Sequence, residues 1–268
     1  MPTFNIVIVT KRIKEVILKK INNTYSWVLI VIFIIGLALF FGNQNLFNNH
    51  LKKTKETSLK FPNYDDTAIE AENGLLAVTN PASNLVLVNK ERKLPDGYEP
   101  PDLVYPVVPL HGVNKDKTLM RKEAAHALEK LFERAEADGI KLTPVSAYRS
   151  FDRQKSLYNY YVQIHGEDWT QSFSAVPGTS EHQTGLSIDV SSPNFGNKLE
   201  QGFGETKEGT WLADHAHEFG FIIRYPEDKV DITEYNYEPW HIRYLGIKYA
   251  TYLYKNDLAL EEVMKPKK

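Results

Sequence analysis

The chain has 268 residues, a formal net charge of -2 and no cysteine, which excludes disulfides, thiolate metal sites, a cysteine nucleophile and a cysteine-borne lipid. Hydrophobic residues make up 42% and charged residues 25%, an ordinary globular balance with no basic surplus for nucleic-acid phosphates. This length holds one sizeable core with accessory segments, or at most two small domains.

At the N-terminus, Lys11, Arg12, Lys14, Lys19 and Lys20 precede an uncharged apolar run that ends at Gly42. The run is near the lower limit of a membrane-spanning helix, which needs roughly 17–25 apolar residues. Tyr25 and Trp27 suit an interfacial anchor, and the preceding positive charges predict a cytoplasmic N-terminus. No small-x-small cleavage site follows the run, so it reads as an uncleaved signal anchor. The expected layout is a cytoplasmic segment 1–24, a transmembrane signal anchor 25–42 in the cell membrane, an extracytoplasmic linker 43–74 and a globular domain 75–268 outside the cytoplasm. The linker is polar, with Lys52, Lys53 and Lys55 followed by Asp65, Asp66, Glu70 and Glu72, and shows no apolar period.

Within the domain, residues 85–88 read as a short strand, followed by a turn-rich span containing Pro95, Gly97, Pro100 and Pro101. Residues 117–138 predict an amphipathic helix, because Met120, Ala124, Leu128, Leu131 and Ala135 recur at three- and four-residue steps and Gly139 follows. A strand is expected over 142–147 and a second helix over 152–164, with Leu157, Tyr158 and Tyr161 inward. A third helix is expected over 211–219, with Thr210 as N-cap and Gly220 as stop. Strands are expected at 187–191, 221–225 and 240–244. Without regular βαβ alternation, this pattern gives an α+β domain, a small, mostly antiparallel sheet flanked by helices.

Two stretches carry the chemistry: Ser180-Glu-His182-Gln-Thr-Gly185-Leu-Ser-Ile-Asp189 and Glu238-Pro-Trp-His241. As a strand, 186–190 puts Leu186, Ile188 and Val190 on one face and Ser187 and Asp189 on the other. A carboxylate inside such a strand is costly unless paired or metal-bound. Gly185 permits a turn that folds His182 back beside Asp189. Pro239 keeps Glu238 out of the helical region, so Glu238 and His241 converge, if they do, from a kinked strand entry. Neutral imidazole nitrogen and anionic carboxylate oxygen both suit Zn²⁺. A structural Asp189 bonded to turn amides, a surface Glu238 and a His241 packed by Trp240 remain the alternative. If the two stretches meet, three ligands, an open position for water and a base make a metallohydrolase.

Ser-x-His-x-x-Gly-x-Ser-x-Asp followed by Glu-Pro-Trp-His resembles the VanY-type D-alanyl-D-alanine carboxypeptidases, the M15B peptidases, which include the LdcB/DacB-type L,D-carboxypeptidases. Tyr148-Arg149-Ser150 with Gln154, the run from Trp211 through Phe221, Arg224-Tyr225-Pro226, and Tyr237 through Tyr244 extend the resemblance. With Leu87-Val88-Asn89-Lys90, it covers most of the chain between residues 84 and 246. Ser187 stands where the family usually has alanine, and Glu234 where glycine is common.

The resemblance implies that His182, Asp189 and His241 bind zinc, that Glu238 is the catalytic base, and that Arg149 steadies the substrate or its oxyanion. The fork of a guanidinium also suits a substrate's free carboxylate. Tyr148, Gln154, Ser180 and Tyr237 are expected to line the substrate pocket. The implied activity is removal of the C-terminal D-alanine from peptidoglycan stem peptides by a zinc D,D-carboxypeptidase. The alternatives are an L,D-carboxypeptidase acting on the tetrapeptide, a peptidoglycan endopeptidase, or a non-catalytic wall-binding module. The expected partners are stem peptides and, through the N-terminal helix, the membrane.

Overall fold

The computed structural model describes residues 59–71 and 74–266. The expected signal anchor at 25–42 lies outside them; among the described residues, no helix is long and apolar enough to cross a membrane.

A four-stranded antiparallel sheet carries the site, in the order β6 (Thr143–Ser146), β7 (Ser187–Ser191), β9 (Glu238–Tyr244), β8 (Phe221–Tyr225). β7 and β8 occupy the expected positions, because their alternation puts one apolar row into the core. Leu186, Ile188 and Val190 are fully buried there with Ile242 and Phe221. Helix α1 (Lys122–Ala137) covers that row with Ala124, Leu128, Leu131 and Ala135, each fully buried leucine contributing about 1.5–3 kcal/mol relative to exposure. The helix is shorter than the expected 117–138. Lys115–Lys117 form a 3-10 turn, and Met120–Arg121 form a strand (β5) that pairs with β4 (Leu103–Val104).

Helix α2 (Phe151–His165) starts at Ser150, whose Oγ accepts a hydrogen bond from the Arg153 N–H. Gln154 is its one fully buried residue, and Leu157, Tyr158 and Tyr161 are half-buried rather than inward. Gly166, in the left-handed region at φ 84°, separates it from α3 (Glu167–Phe173). Helix α4 (Lys207–His215) begins four residues before the expected start, because Thr206, not Thr210, caps it by accepting from the Gly209 N–H. A Cβ at Gly209 would sit 2.0 Å from the Phe203 carbonyl oxygen, so this early turn requires glycine. The expected end of the helix is a 3-10 turn, Ala216–Phe219.

Two expectations need correction. Residues 85–88 are buried but form no strand. Two of their carbonyls are taken by guanidiniums instead of a ladder: Arg243 donates to Val86, as well as to the preceding Asn84, and Arg92 donates to Leu87. The linker expected over 43–74 also ends too late. The compact unit begins at Leu59, since β1 (Ala68–Glu70) pairs with β2 (Leu76–Val78), which pairs in parallel with β3 (Arg92–Lys93). Buried Arg92 fastens this segment by donating to the Tyr64 carbonyl and Thr67 Oγ1. After β8 come α5 (Val230–Thr233), β9, α6 (Ile247–Lys255) and α7 (Leu260–Val263). Leu253 and Leu260 join Tyr64, Leu87 and Ile222 in a second apolar cluster.

The turn into β7 depends on Gly185, at φ 67°, where a Cβ would lie 2.9 Å from Leu103 Cδ2 and 3.0 Å from Arg121 Cγ. Left-handed geometry alone costs a side chain about 1–2 kcal/mol. Gly185→Ala is therefore expected to lower unfolding free energy by at least that amount in urea titration, and an unchanged midpoint contradicts the reading.

Candidate metal centre

The β7–β9 register sets Asp189 directly opposite His241, and Ser187 opposite Arg243. Residues two apart on a strand share a face, so these four side chains point away from the apolar core together. His182 arrives from the 3-10 turn Glu181–Thr184, which Gly185 closes. Its Nδ1 lies 2.8 Å from the Ala147 carbonyl oxygen; donation there fixes the tautomer and leaves the Nε2 lone pair free.

His182 Nε2 lies 3.5 Å from Asp189 Oδ2, and His241 Nδ1 lies 3.3 Å from Asp189 Oδ1. With Zn–N and Zn–O bonds of about 2.0–2.1 Å, the edge of a tetrahedron is about 3.3–3.4 Å. One ligand atom from each of the three residues lies within 4.8 Å of the others, and all three residues are buried. Asp189 Oδ1 and His241 Nε2 have no hydrogen-bond partner, although buried polar atoms are nearly always satisfied. The two spacings to Asp189, the donor chemistry and the unsatisfied carboxylate oxygen therefore fit a zinc held by Asp189, His182 Nε2 and His241 Nδ1.

Glu238 lies three residues before His241, and a regular strand would put the two on opposite faces. Between the pairs Ile223↔Ile242 and Tyr225↔Glu238 the register shifts, and this irregularity brings Glu238 Oε2 to 3.6 Å from His241 Nδ1. Glu238 is more exposed than the ligands, at 22% of its side chain against 4% for His241, so it faces the cleft mouth.

Burial pushes the Glu238 carboxyl up to about 7, with His241 opposing and the Asp189 carboxylate adding to the rise. Burial pushes His182 down to about 3, only partly offset by Asp189, so its ring is neutral and ready to coordinate. His241 is the reverse: burial alone would lower it, but Asp189, Glu181 and Glu238 outweigh that and raise it to about 9 in the metal-free site. Three carboxylates around one imidazole thus hold a positive charge where a cation would replace a proton.

Arg149 faces the same space, its guanidinium donating to Gln154 Oε1 at 2.8 Å and approaching Ser146 Oγ at 3.4 Å. Burial lowers its pKa, and the Asp189 carboxylate opposes that most strongly. The resulting cleft, about 170 Å³, is lined by Arg149, Tyr161, Ser180, Tyr225, Tyr235 and Trp240 around the three ligands and Glu238.

The structure thus unites His182, Asp189, His241, Glu238, Arg149 and Ser180. It does not place Gln154 in the pocket: that side chain is fully buried behind Arg149, its amide donating to Ser174 Oγ and the Ala175 carbonyl. Gln154 orients the arginine and has no free group for a substrate. Tyr148 and Tyr237 do not line the cleft either, and Tyr225 and Tyr235 stand there instead. Tyr225 packs on His241 with ring centroids 5.0 Å apart.

Glu181 does not stand out in the sequence, yet it is fully buried, contacts His241 and accepts from Arg224, Arg243 and Ser187. Its only signal was a carboxylate adjoining a candidate ligand. The two departures from the family pattern also find their places. Ser187 donates to Glu181, and Glu234 adopts φ 60° at the end of α5, the left-handed conformation that glycine favours.

Residues 117–247 match the family model described as VanY: D-alanyl-D-alanine carboxypeptidase. The chain is 47% identical over 211 residues to the putative carboxypeptidase YodJ of Bacillus subtilis (strain 168), an alignment covering 78% of this chain and 77% of that protein. The solved structure of the LdcB LD-carboxypeptidase is 47% identical with a TM-score of 0.71, covering 75% of this chain and 96% of that one. A mutant of the vancomycin resistance D,D-pentapeptidase VanY, in complex with Zn(II), is 30% identical with a TM-score of 0.56, covering 67% and 98%.

Proposed function

The chain belongs to the VanY family of D-alanyl-D-alanine carboxypeptidases, and from that premise we propose that it is a zinc carboxypeptidase trimming D-alanine from the stem tetrapeptide of peptidoglycan. The observation that carries the hydrolytic part is the convergence of His182, Asp189 and His241 with Glu238 and Arg149 in one cleft. A structural metal site is closed and needs no base, whereas here a carboxylate at the cleft mouth stands beside the ligand set.

Bound to the three ligands, zinc supplies a Lewis acid that lowers the pKa of water towards 7 and polarises a carbonyl. Glu238 takes the proton of the attacking water and delivers it to the departing amine. Its burial-raised pKa suits both halves of that task, because a base near the working pH also makes a competent acid. Arg149, held in place by Gln154, presents its fork towards the cleft, where it pairs with the terminal carboxylate of the substrate or with the developing oxyanion. Tyr225 and Trp240 form part of the wall that keeps bulk water from the reacting bond.

The tetrapeptide, and hence L,D specificity, is favoured by the 47% identity to the LdcB LD-carboxypeptidase across 96% of that chain, against 30% for the D,D-pentapeptidase VanY. The D,D reading on pentapeptide is favoured by the description of the family model. The uncharged run at 25–42 supports an uncleaved membrane anchor, which would put the domain beside this substrate outside the cytoplasm.

Incubating the zinc-loaded protein with purified tetrapeptide and pentapeptide, with products followed by mass spectrometry, tests the specificity. Loss of one D-alanine from the tetrapeptide is expected. Loss from the pentapeptide alone would establish the D,D reading, and cleavage of neither would overturn the carboxypeptidase assignment.

A further inference from the structure

We propose that Glu181 is a positioning residue for zinc, holding His241 from behind through its Nε2 while two buried arginines hold Glu181. The proposal rests on the zinc reading above and adds the source of the ligand's orientation and donor strength.

The two oxygens of Glu181 divide their partners. Oε1 accepts from Arg224 Nε and from Arg243 Nη1, each at 2.7 Å. Oε2 is left to Ser187 Oγ, at 3.1 Å, and to His241 Nε2, at 3.5 Å. A carboxylate needed only to neutralise the arginines would have no reason to aim its second oxygen at the ring. A metal on Nδ1 puts the ring proton on Nε2, and that buried atom makes no hydrogen bond in the structure, with Glu181 Oε2 standing 3.5 Å away. Glu181 is the acceptor facing it. A carboxylate behind a coordinating imidazole fixes the ring and makes the coordinating nitrogen a better donor.

The sheet explains how this arrangement is built. Arg243 is two residues beyond His241 on β9 and pairs with Ser187, while Asp189 pairs with His241. One face of two strands therefore carries Ser187, Asp189, His241 and Arg243, and Glu181 is laid over it from the turn that also carries His182. Arg224, from β8, reaches past Glu181 to Glu261 on α7, with Nη1 at 2.9 Å and Nη2 at 2.5 Å from its two oxygens. Two arginines and two glutamates balance in charge, and such pairing keeps a buried carboxylate ionised where a lone one would take up a proton. Arg243 also donates to the carbonyls of Asn84 and Val86, so it does not swing with the carboxylate. The outer wall of the metal site is thus a rigid, neutral ion cluster rather than solvent.

The test compares zinc affinity, by chelator competition, with thermal stability of the metal-free protein, for wild type, Glu181→Gln, Glu181→Asp and Glu261→Gln. Loss of partners that orient metal ligands typically weakens binding about 10–100-fold. That loss is expected for Glu181→Gln, which keeps the shape but not the charge. Glu181→Asp keeps the charge for the arginines while drawing back from His241 by one methylene. The same direction of change is expected there, which keeps the test available should the glutamine variant fail to fold. Glu261→Gln disturbs the same Arg224 without touching His241, and is expected to lower the melting temperature while leaving zinc affinity within about threefold. Folded Glu181 variants that bind zinc as tightly as wild type would overturn the proposal, and so would an equal loss in Glu261→Gln. Failure of the wild-type protein to bind zinc would instead refute the zinc reading itself.

Discussion

Glu238→Gln is expected to lower kcat by about 10²–10⁴-fold, the usual contribution of a positioned general acid–base group, while zinc stays bound. The amide keeps the shape of the carboxylate but cannot take the proton of water or return it to the leaving amine. Glu238 is not one of the three converging ligand residues, so metal content is expected to hold at wild-type level. Folding is expected to hold as well. Burial already pushes this carboxyl up to about 7, with the Asp189 carboxylate adding to the rise, so a neutral side chain suits the site at least as well as a charged one. Steady-state kinetics with metal analysis on the same sample checks both halves. A kcat within threefold of wild type would remove Glu238 from the chemistry.

The second large effect is loss of the metal. Chelation is expected to abolish turnover and added zinc to restore it, whereas His241→Ala is expected to abolish it irreversibly. Removing this imidazole takes away a ligand and the positive partner of three carboxylates, Asp189, Glu181 and Glu238. Leaving buried charge without its partner costs about 3–5 kcal/mol, so the variant is also expected to melt earlier. The chelated wild-type protein keeps His241 protonated, since its ring is raised to about 9, and so keeps that compensation. Melting curves of the two metal-free proteins separate these effects. A variant as stable as the chelated wild type would show that the carboxylates do not depend on the ring.

The parts of this design that show in the sequence are those fixed by local pattern. Leu186, Ile188 and Val190 alternate with Ser187 and Asp189, and that alternation sets β7 and its two faces. The stripe from Ala124 to Ala135 sets α1, and the family resemblance of the two motifs pointed to His182, Asp189, His241 and Glu238, which the structure brings into one cleft. What could not be read depends on partners far along the chain. Glu181 looks like one more polar turn residue until Arg224, 43 positions on, and Arg243, 62 positions on, close around it. Residues 85–88 have the composition of a strand, but buried guanidiniums, not a neighbouring strand, take the carbonyls of Val86 and Leu87. Gln154 looks like a pocket residue because it is polar and near Arg149, but its amide is used up by Ser174 and Ala175. Helix α4 starts four residues earlier than its pattern suggests because both Thr206 and Thr210 are residue types that cap, and the structure uses Thr206, where Gly209 approaches Phe203 tightly.

The central claim is that three ligands hold a catalytic zinc and Glu238 works beside it. It is tested most directly by zinc stoichiometry measured together with D-alanine release from stem peptide, for wild type, Glu238→Gln and His241→Ala. The account predicts one zinc per chain and full release for wild type, one zinc and at most about one-hundredth of the rate for Glu238→Gln, and neither zinc nor release for His241→Ala. Full release by a zinc-free His241→Ala protein would contradict it.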